Sequence, residues 1–272
     1  MTTHKPFKDL HFSDAFMFAA VMEDEDICRG VLERILGIPI KHVTVRSEVS
    51  LFINSDYRGV RLDVLANDES GTVFNVEMQI TNLHNLPKRS RIYQGRMDLA
   101  ALKPGQDFNL LPTSYVIFIC TFDPFSHDYW RYTYDTRCRE TGEELGDKAY
   151  KIFLNTKGFN ITKEPPELIR FLQYIENTAV PDHQTDPLIQ QIETRLTAIK
   201  YDNSMEVQYM LFTEMLTDER KEGRQEGRQE GQKSILQLIN SMTQNGDGDK
   251  VSLIAADPEL LQKMCHKYHI IL

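Results

Sequence analysis

Arg61-Leu-Asp-Val-Leu65, Asn67-Asp-Glu-Ser-Gly71 and Phe74-Asn-Val-Glu-Met-Gln-Ile80 form the stretch that decides the fold. The outer runs are short and rich in β-branched or aromatic residues, and the polar segment between them ends in glycine. That pattern predicts two strands joined as a hairpin. Side chains on a strand alternate between faces. Phe74, Val76, Met78 and Ile80 therefore share one face, and Asn75, Glu77 and Gln79 share the other. A turn centred near Ser70 pairs residues whose numbers sum to about 140, which sets Asp63 beside Glu77 on adjacent strands.

Upstream, Phe12 to Leu36 reads as one helix or two short ones, with Ser13 or Asp14 as cap and Gly37 and Pro39 as its stop. Val43 to Ile53 alternates and predicts a further strand. Downstream, Leu86 to Lys103 reads as a basic helix ended by Pro104-Gly105, and Ser114 to Phe122 as a buried strand. Strands are also expected within Tyr129 to Cys138 and Tyr150 to Leu154. Pro165-Pro166 and Asp186-Pro187 then open helices with apolar residues at helical spacing, namely Leu168, Phe171, Leu172 and Ile175, and Leu188, Ile192, Leu196 and Ile199.

The expected organisation is an α/β core over 1–165, a helical extension over 166–218, a repeat segment over 219–233 and a small helical module over 234–272. The repeat, Arg220-Lys-Glu-Gly-Arg-Gln-Glu-Gly-Arg-Gln-Glu-Gly231, has a period of four. On a helix, arginines, glutamates and glycines would each form a row. Like charges at i, i+4 repel and glycine weakens a helix. The plain reading is a flexible linker; the alternative is an oligomerisation helix whose rows pair with those of another chain. In the last module, Asp257-Pro258 is expected to cap the final helix.

The 272 residues carry a net charge of −9, which on its face disfavours a nucleic-acid partner. The charge is uneven. Between Asn85 and Gly105, Lys88, Arg89, Arg91, Arg96 and Lys103 stand against Asp98 alone, so this helix is the expected electrostatic footprint. The longest apolar run is too short to span a bilayer, which takes roughly 20 residues. The amino-terminal stretch has no apolar signal-peptide core. We therefore expect a cytoplasmic protein. Cys28, Cys120, Cys138 and Cys265 are scattered without a CxxC pair, and Cys265, His266 and His269 lack a nearby fourth zinc ligand. GxSxG, Walker, GxGxxG and HExxH motifs are absent, which removes support for those chemistries.

Two carboxylates on directly opposed strand positions repel unless a cation neutralises them. Mg²⁺ takes hard oxygen ligands and commonly one or two carboxylates. Asp63 and Glu77 thus suggest a metal seat with Gln79 beside it; the alternative is a solvent-facing acid pair neutralised by Arg61. The basic helix that follows would set Lys88, Arg91 and Arg96 near phosphate groups. A metal seat beside cations is what phosphodiester hydrolysis needs.

The blocks Gly59-Val-Arg-Leu-Asp-Val64, Phe74-Asn-Val-Glu-Met-Gln79, Leu86-Pro-Lys-Arg-Ser-Arg-Ile-Tyr-Gln94 and Ser114-Tyr-Val-Ile-Phe-Ile-Cys120 together resemble the PD-(D/E)XK nuclease family transposases, also called the recombination-promoting nuclease (Rpn) family. The likeness extends through Phe12-Ser-Asp-Ala-Phe16, Tyr132-Thr-Tyr134 and Ile152-Phe-Leu-Asn155, and so covers roughly residues 7–175. It implies a restriction-endonuclease-like mixed central sheet flanked by helices. It also implies that Asp63, Glu77 and Gln79 are catalytic, with Asp63 and Glu77 as metal ligands and Asp14 as a supporting acid in the first helix. Lys88, Arg89, Arg91, Gln94 and Arg96 are then the expected phosphate or DNA contacts, with Arg91 and Gln94 completing the site. The departure is Gln79, which stands where the motif usually has lysine.

The reading is a divalent-cation-dependent endodeoxyribonuclease (Mg²⁺, or Mn²⁺ or Ca²⁺) acting on double-stranded DNA, promoting recombination or mobile-element activity, and forming a homo-oligomer. A decayed, non-catalytic DNA-binding or interaction protein on the same fold is the alternative, favoured by Gln79 and the acidic charge. A nuclease acting on RNA or single strands is a third.

Overall fold

The hairpin lies at the heart of a six-stranded mixed sheet of order β1-β2-β3-β4-β6-β5. The computed structural model describes residues 5–51, 60–160, 164–177 and 186–270. The strands are β1 (Val43–Leu51), β2 (Val60–Asp68), β3 (Val73–Gln79), β4 (Ser114–Cys120), β5 (Arg131–Tyr134) and β6 (Ala149–Asn155). Phe52 and Ile53, expected to close the first strand, lie outside the described residues, as do Gly59 and the Arg61 side chain.

β1 pairs antiparallel with β2 and β2 antiparallel with β3, then β3, β4 and β6 run parallel, and β5 returns antiparallel on β6. The register of β2 on β3 pairs Val64 with Val76, Leu65 with Asn75 and Ala66 with Phe74, the pairing the turn predicted. The turn is held by Asp68, whose Oδ1 accepts from the N–H of Ser70 and of Thr72 at 2.9 and 2.8 Å. Gly71 supplies the positive φ of 83° that ordinary side chains resist.

The single helix or pair expected over Phe12 to Leu36 is a pair, α1 (Ala15–Met22) and α2 (Glu25–Leu36). Asp24 divides them: its Oδ1 accepts from the N–H of Asp26 and Ile27, both at 3.1 Å, and so starts α2. The basic helix is α3 (Leu86–Ala101), which connects the parallel strands β3 and β4. Its inward residues Leu86, Tyr93 and Met97 pack with Val73, Val116, Phe118, Cys120, Tyr132 and Phe153. On the other face of β3, Phe74, Val76 and Met78 are buried too, so this strand is covered on both sides. α1 and α2 lie against β1 and β2, while α4 (Pro166–Glu176) and α5 (Pro187–Tyr201) pack on those helices. Buried Asp186 caps α5 and takes a two-pronged bond from Arg34 on α2, 2.9 Å at each oxygen.

The chain divides into two compact units, Met1–Glu206 and Val207–Leu272. The plain reading of the Arg220–Gly231 repeat as a linker is corrected: it lies inside one 42-residue helix, α6 (Asn203–Gln244). Arginine, glutamine, glutamate and lysine are good helix formers, and they outweigh three glycines. The C-terminal unit closes with α7 (Pro258–Tyr268), started by Asp257 as expected. Its core joins Leu238, Met242, Ile254, Met264 and Cys265. Among the described residues, no helix is long and apolar enough to cross a membrane.

Candidate metal and phosphate site

At Asp63 and Glu77 the hairpin changes the way it bonds. The backbone pairing ends at Val64 and Val76. Beyond that point side chains bridge the strands: the Asp63 N–H donates to Glu77 Oε1 at 3.2 Å, and the Met78 N–H donates to Asp63 Oδ2 at 3.0 Å. Each acid therefore takes up a backbone donor of the opposite strand. Both carboxylates are fixed where the strands part, at the carboxyl end of β3.

Glu77 is 1% exposed, while Asp63 and Gln79 are half-buried. Burial pushes the Glu77 carboxyl well above the ordinary carboxylate range, and the neighbouring Asp63 charge pushes it further. The Asp63 N–H and Arg89 pull the other way without cancelling the effect. The Asn75 amide also lies near enough to favour the charged form, although neither of its polar atoms completes a hydrogen bond.

Arg89, on the first turn of α3, brings a guanidinium to Glu77 and Gln79. Its Nη1 donates to Gln79 Oε1 at 2.7 Å and its Nη2 reaches Glu77 Oε2 at 3.4 Å. Tyr93, one turn along, holds the guanidinium in place: its hydroxyl accepts from Nη2 at 2.6 Å and from Nε at 3.3 Å. The guanidinium also lies over the rings of Tyr93 and Phe118, 5.3 and 5.6 Å from their centroids. Burial and the Glu77 charge push the Tyr93 phenol up to about 12, so it stays protonated at neutral pH.

The other expected residues are placed differently. Lys88 and Arg91 are exposed on α3, and Arg96 is half-buried. Gln94 is buried and donates to Asp98 Oδ1 at 2.9 Å and Ser114 Oγ at 2.6 Å. Ser114 begins β4, four residues before Phe118, the partner of Glu77, so Gln94 lies roughly 13 Å along the strand from the acids. Asp14 precedes α1 without capping it through its side chain; its Oδ2 accepts from Lys5 Nζ at 2.7 Å and from the His11 N–H at 2.6 Å. Sequence reasoning counted Arg89 with Lys88, Arg91, Gln94 and Arg96 among the phosphate or DNA contacts and gave it no place beside the acids. The i, i+4 spacing of Arg89 and Tyr93, beside inward Leu86 and Met97, is the signal that would have singled it out.

The donor set fits a hard divalent cation. Two carboxylates are fixed together, and one of them is buried, its carboxyl pushed well above the ordinary range by burial and by the neighbouring Asp63 charge. No cluster of three or more His, Cys, Asp or Glu that could hold a metal occurs among the described residues; a hard cation such as Mg²⁺ commonly takes one or two carboxylates and fills its shell with water and phosphate oxygens.

A family model described as PD-(D/E)XK nuclease family transposase matches residues 6–226. No curated protein and no solved structure matches the chain.

Proposed function

The chain belongs to the PD-(D/E)XK nuclease family transposases, and from that premise we propose that it is a divalent-cation-dependent endonuclease hydrolysing phosphodiester bonds in double-stranded DNA. The observation that carries this reading is the pair Asp63 and Glu77, each tied to the other's strand, with Glu77 buried and short of positive charge. Asp63 and Glu77 would hold the cation. When bound, Mg²⁺ or Mn²⁺ would polarise a phosphate oxygen and activate water.

The chain's own residues supply the rest. Arg89 takes the Gln79 amide oxygen, so what Gln79 offers an incoming oxygen is its Nε2 protons. Glutamine cannot act as a base at neutral pH, and its role is to orient the attacking water. Arg89 brings the positive charge that the motif lysine would carry and stabilises charge building on the phosphate. Lys88, Arg91 and Arg96 guide the backbone of the DNA onto α3. The wider reading is a cytoplasmic protein that promotes recombination or mobile-element activity. It also includes a homo-oligomer: Gly223, Gly227 and Gly231 of α6 have open space about them that a second helix could enter.

A second reading is a decayed site that binds DNA without cutting it. Arg89 favours it, because the guanidinium already stands against Glu77 where a cation would neutralise the acid. A plasmid nicking assay with Mg²⁺, Mn²⁺, Ca²⁺ or EDTA, beside Asp63→Ala and Glu77→Ala, separates the two. Metal-dependent nicking lost in both variants supports the nuclease. DNA binding by all three proteins with no nicking under any metal selects the decayed site.

A further inference from the structure

Asn75 is the polar residue on the covered face of β3 that the proposed chemistry does not use. Its side chain is 0% exposed. Its ladder neighbours are Leu65 on β2 and Val116 on β4, both apolar, and Val116 belongs to the core beneath α3. Neither Oδ1 nor Nδ2 has a hydrogen-bond partner. A buried amide with no partner is destabilising, whereas leucine, branched at the same carbon and with the same number of side-chain heavy atoms, buries no polar group there, though its methyls are bulkier. Gln94, on the helix over the same face, also leaves its Oε1 unpartnered. Polar groups left unsatisfied in a packed interface call for a use.

Glu77 supplies one. Asn75 precedes it by two residues on the same face of β3. The present donors to Glu77 are long, 3.2 Å from the Asp63 N–H and 3.4 Å from Arg89. A cation seated between Asp63 and Glu77 would oppose Arg89, since like charges repel. A neutral amide can hold the carboxylate without repelling the cation.

We propose that Asn75 is a positioning residue for Glu77, an amide kept unpartnered beside the acid so that its Nδ2–H can fix the carboxylate when a divalent cation binds. The inference rests on the metal seat proposed above. It assigns Asn75 no contact with the cation or the substrate; its effect passes through Glu77.

The test is a Mn²⁺ titration of the full-length chain followed by thermal melting, in wild type, Asn75→Leu, Asn75→Ala and Asn75→Ser. The melting temperature of Asn75→Leu in EDTA is expected at or above that of wild type, because an unsatisfied amide has been replaced by an apolar group. Its Mn²⁺ midpoint is expected to rise tenfold or more. Asn75→Ala, which leaves a cavity and serves if the leucine variant does not fold, should weaken Mn²⁺ binding to the same extent. Asn75→Ser, which returns a hydroxyl donor, should recover part of it. Mn²⁺ midpoints for the leucine and alanine variants within twofold of wild type would overturn the proposal while leaving the metal seat standing. A wild type whose melting does not respond to Mn²⁺ overturns both.

Discussion

Arg89 donates to the amide oxygen of Gln79 at 2.7 Å across the gap between α3 and β3. The contact joins the neutral residue of the E-x-Q motif to a charge that arrives from the following helix. A lysine in the strand would carry charge and position in one side chain. Here the strand provides the position and α3 the charge.

Arg89→Ala should therefore lower the nicking rate by about two to three orders of magnitude, the range seen when one preorganised donor to a developing charge is removed. Arg89→Lys should recover little, because an ammonium cannot span Gln79, Glu77 and Tyr93 as the planar guanidinium does. Gln79→Lys placed in the Arg89→Ala background returns a cation to the strand and should restore much of the rate. Single-turnover nicking of plasmid measures all three; a double variant no faster than Arg89→Ala sinks the assignment of charge to Arg89.

Glu77 predicts how stability and metal binding depend on pH. Its carboxyl is raised above the ordinary value of 4.5 by burial and then by Asp63. A raised acid contributes stability that is fully present below its unfolded value and is lost as pH rises toward the folded value. At neutral pH without metal, Glu77→Gln should then melt higher than wild type, and a gain of about 1 kcal/mol would read as roughly 2–4 °C. Cation binding should release protons from wild type, seen as a buffer-dependent binding enthalpy, and Glu77→Gln should show neither the binding nor the release. An apo variant less stable than wild type at pH 7 would refute the raised acid.

The hairpin was legible because local chemistry fixes it. Gly71 and Asp68 set the turn, the turn sets the register, and a period of two sets Asp63 and Glu77 on one face. Arg89 was not, because the four basic residues of α3, Lys88, Arg89, Arg91 and Arg96, look alike in sequence. What separates them is which side of α3 meets the sheet, and that depends on the packing of Leu86, Tyr93 and Met97. Gln94 misled for the same reason: it faces inward, but at the wrong end of β4. The repeat in α6 misled through glycine, whose cost of about 1 kcal/mol per site is visible in the chain while the support of 42 continuous helical residues is not.

Asp247 predicts the acid limit of the C-terminal unit. The buried carboxylate accepts from Lys250 Nζ at 2.7 Å, from Tyr268 Oη at 2.6 Å and from Lys267, and these donors hold it well below the usual Asp value of 3.8. A depressed acid contributes stability above its unfolded value that is lost as pH falls through the folded one. Asp247→Asn should therefore speed hydrogen exchange at the amides of α7 at pH 7, and the excess over wild type should shrink as the pH is lowered below 3.8. Equal exchange in the two proteins at pH 7 would show that the ion cluster does not hold the module.

Two glycines with equally close neighbours should respond unequally to alanine. At Gly158 a Cβ would meet the Trp130 backbone, with Cα and N both at 2.8 Å, and the indole Cδ2 at 2.7 Å. These atoms cannot give way easily, because the Asn155 N–H donates to the Trp130 carbonyl at 3.0 Å and the Asn155 amide to the Tyr129 carbonyl at 3.1 Å. At Gly30 the obstacle is Leu188 Cδ1 at 2.8 Å, the far end of a flexible side chain, with the next atoms at 3.6 and 3.7 Å. Gly30 also lies inside α2, where alanine gains up to about 1 kcal/mol of helix propensity. Gly158→Ala should cost about 1–3 kcal/mol as an overpacked site, whereas Gly30→Ala should be close to neutral as the gain and the clash offset. Thermal melting of the two variants checks this directly. If they melt together, the rigidity of the Trp130 backbone is not what keeps position 158 a glycine.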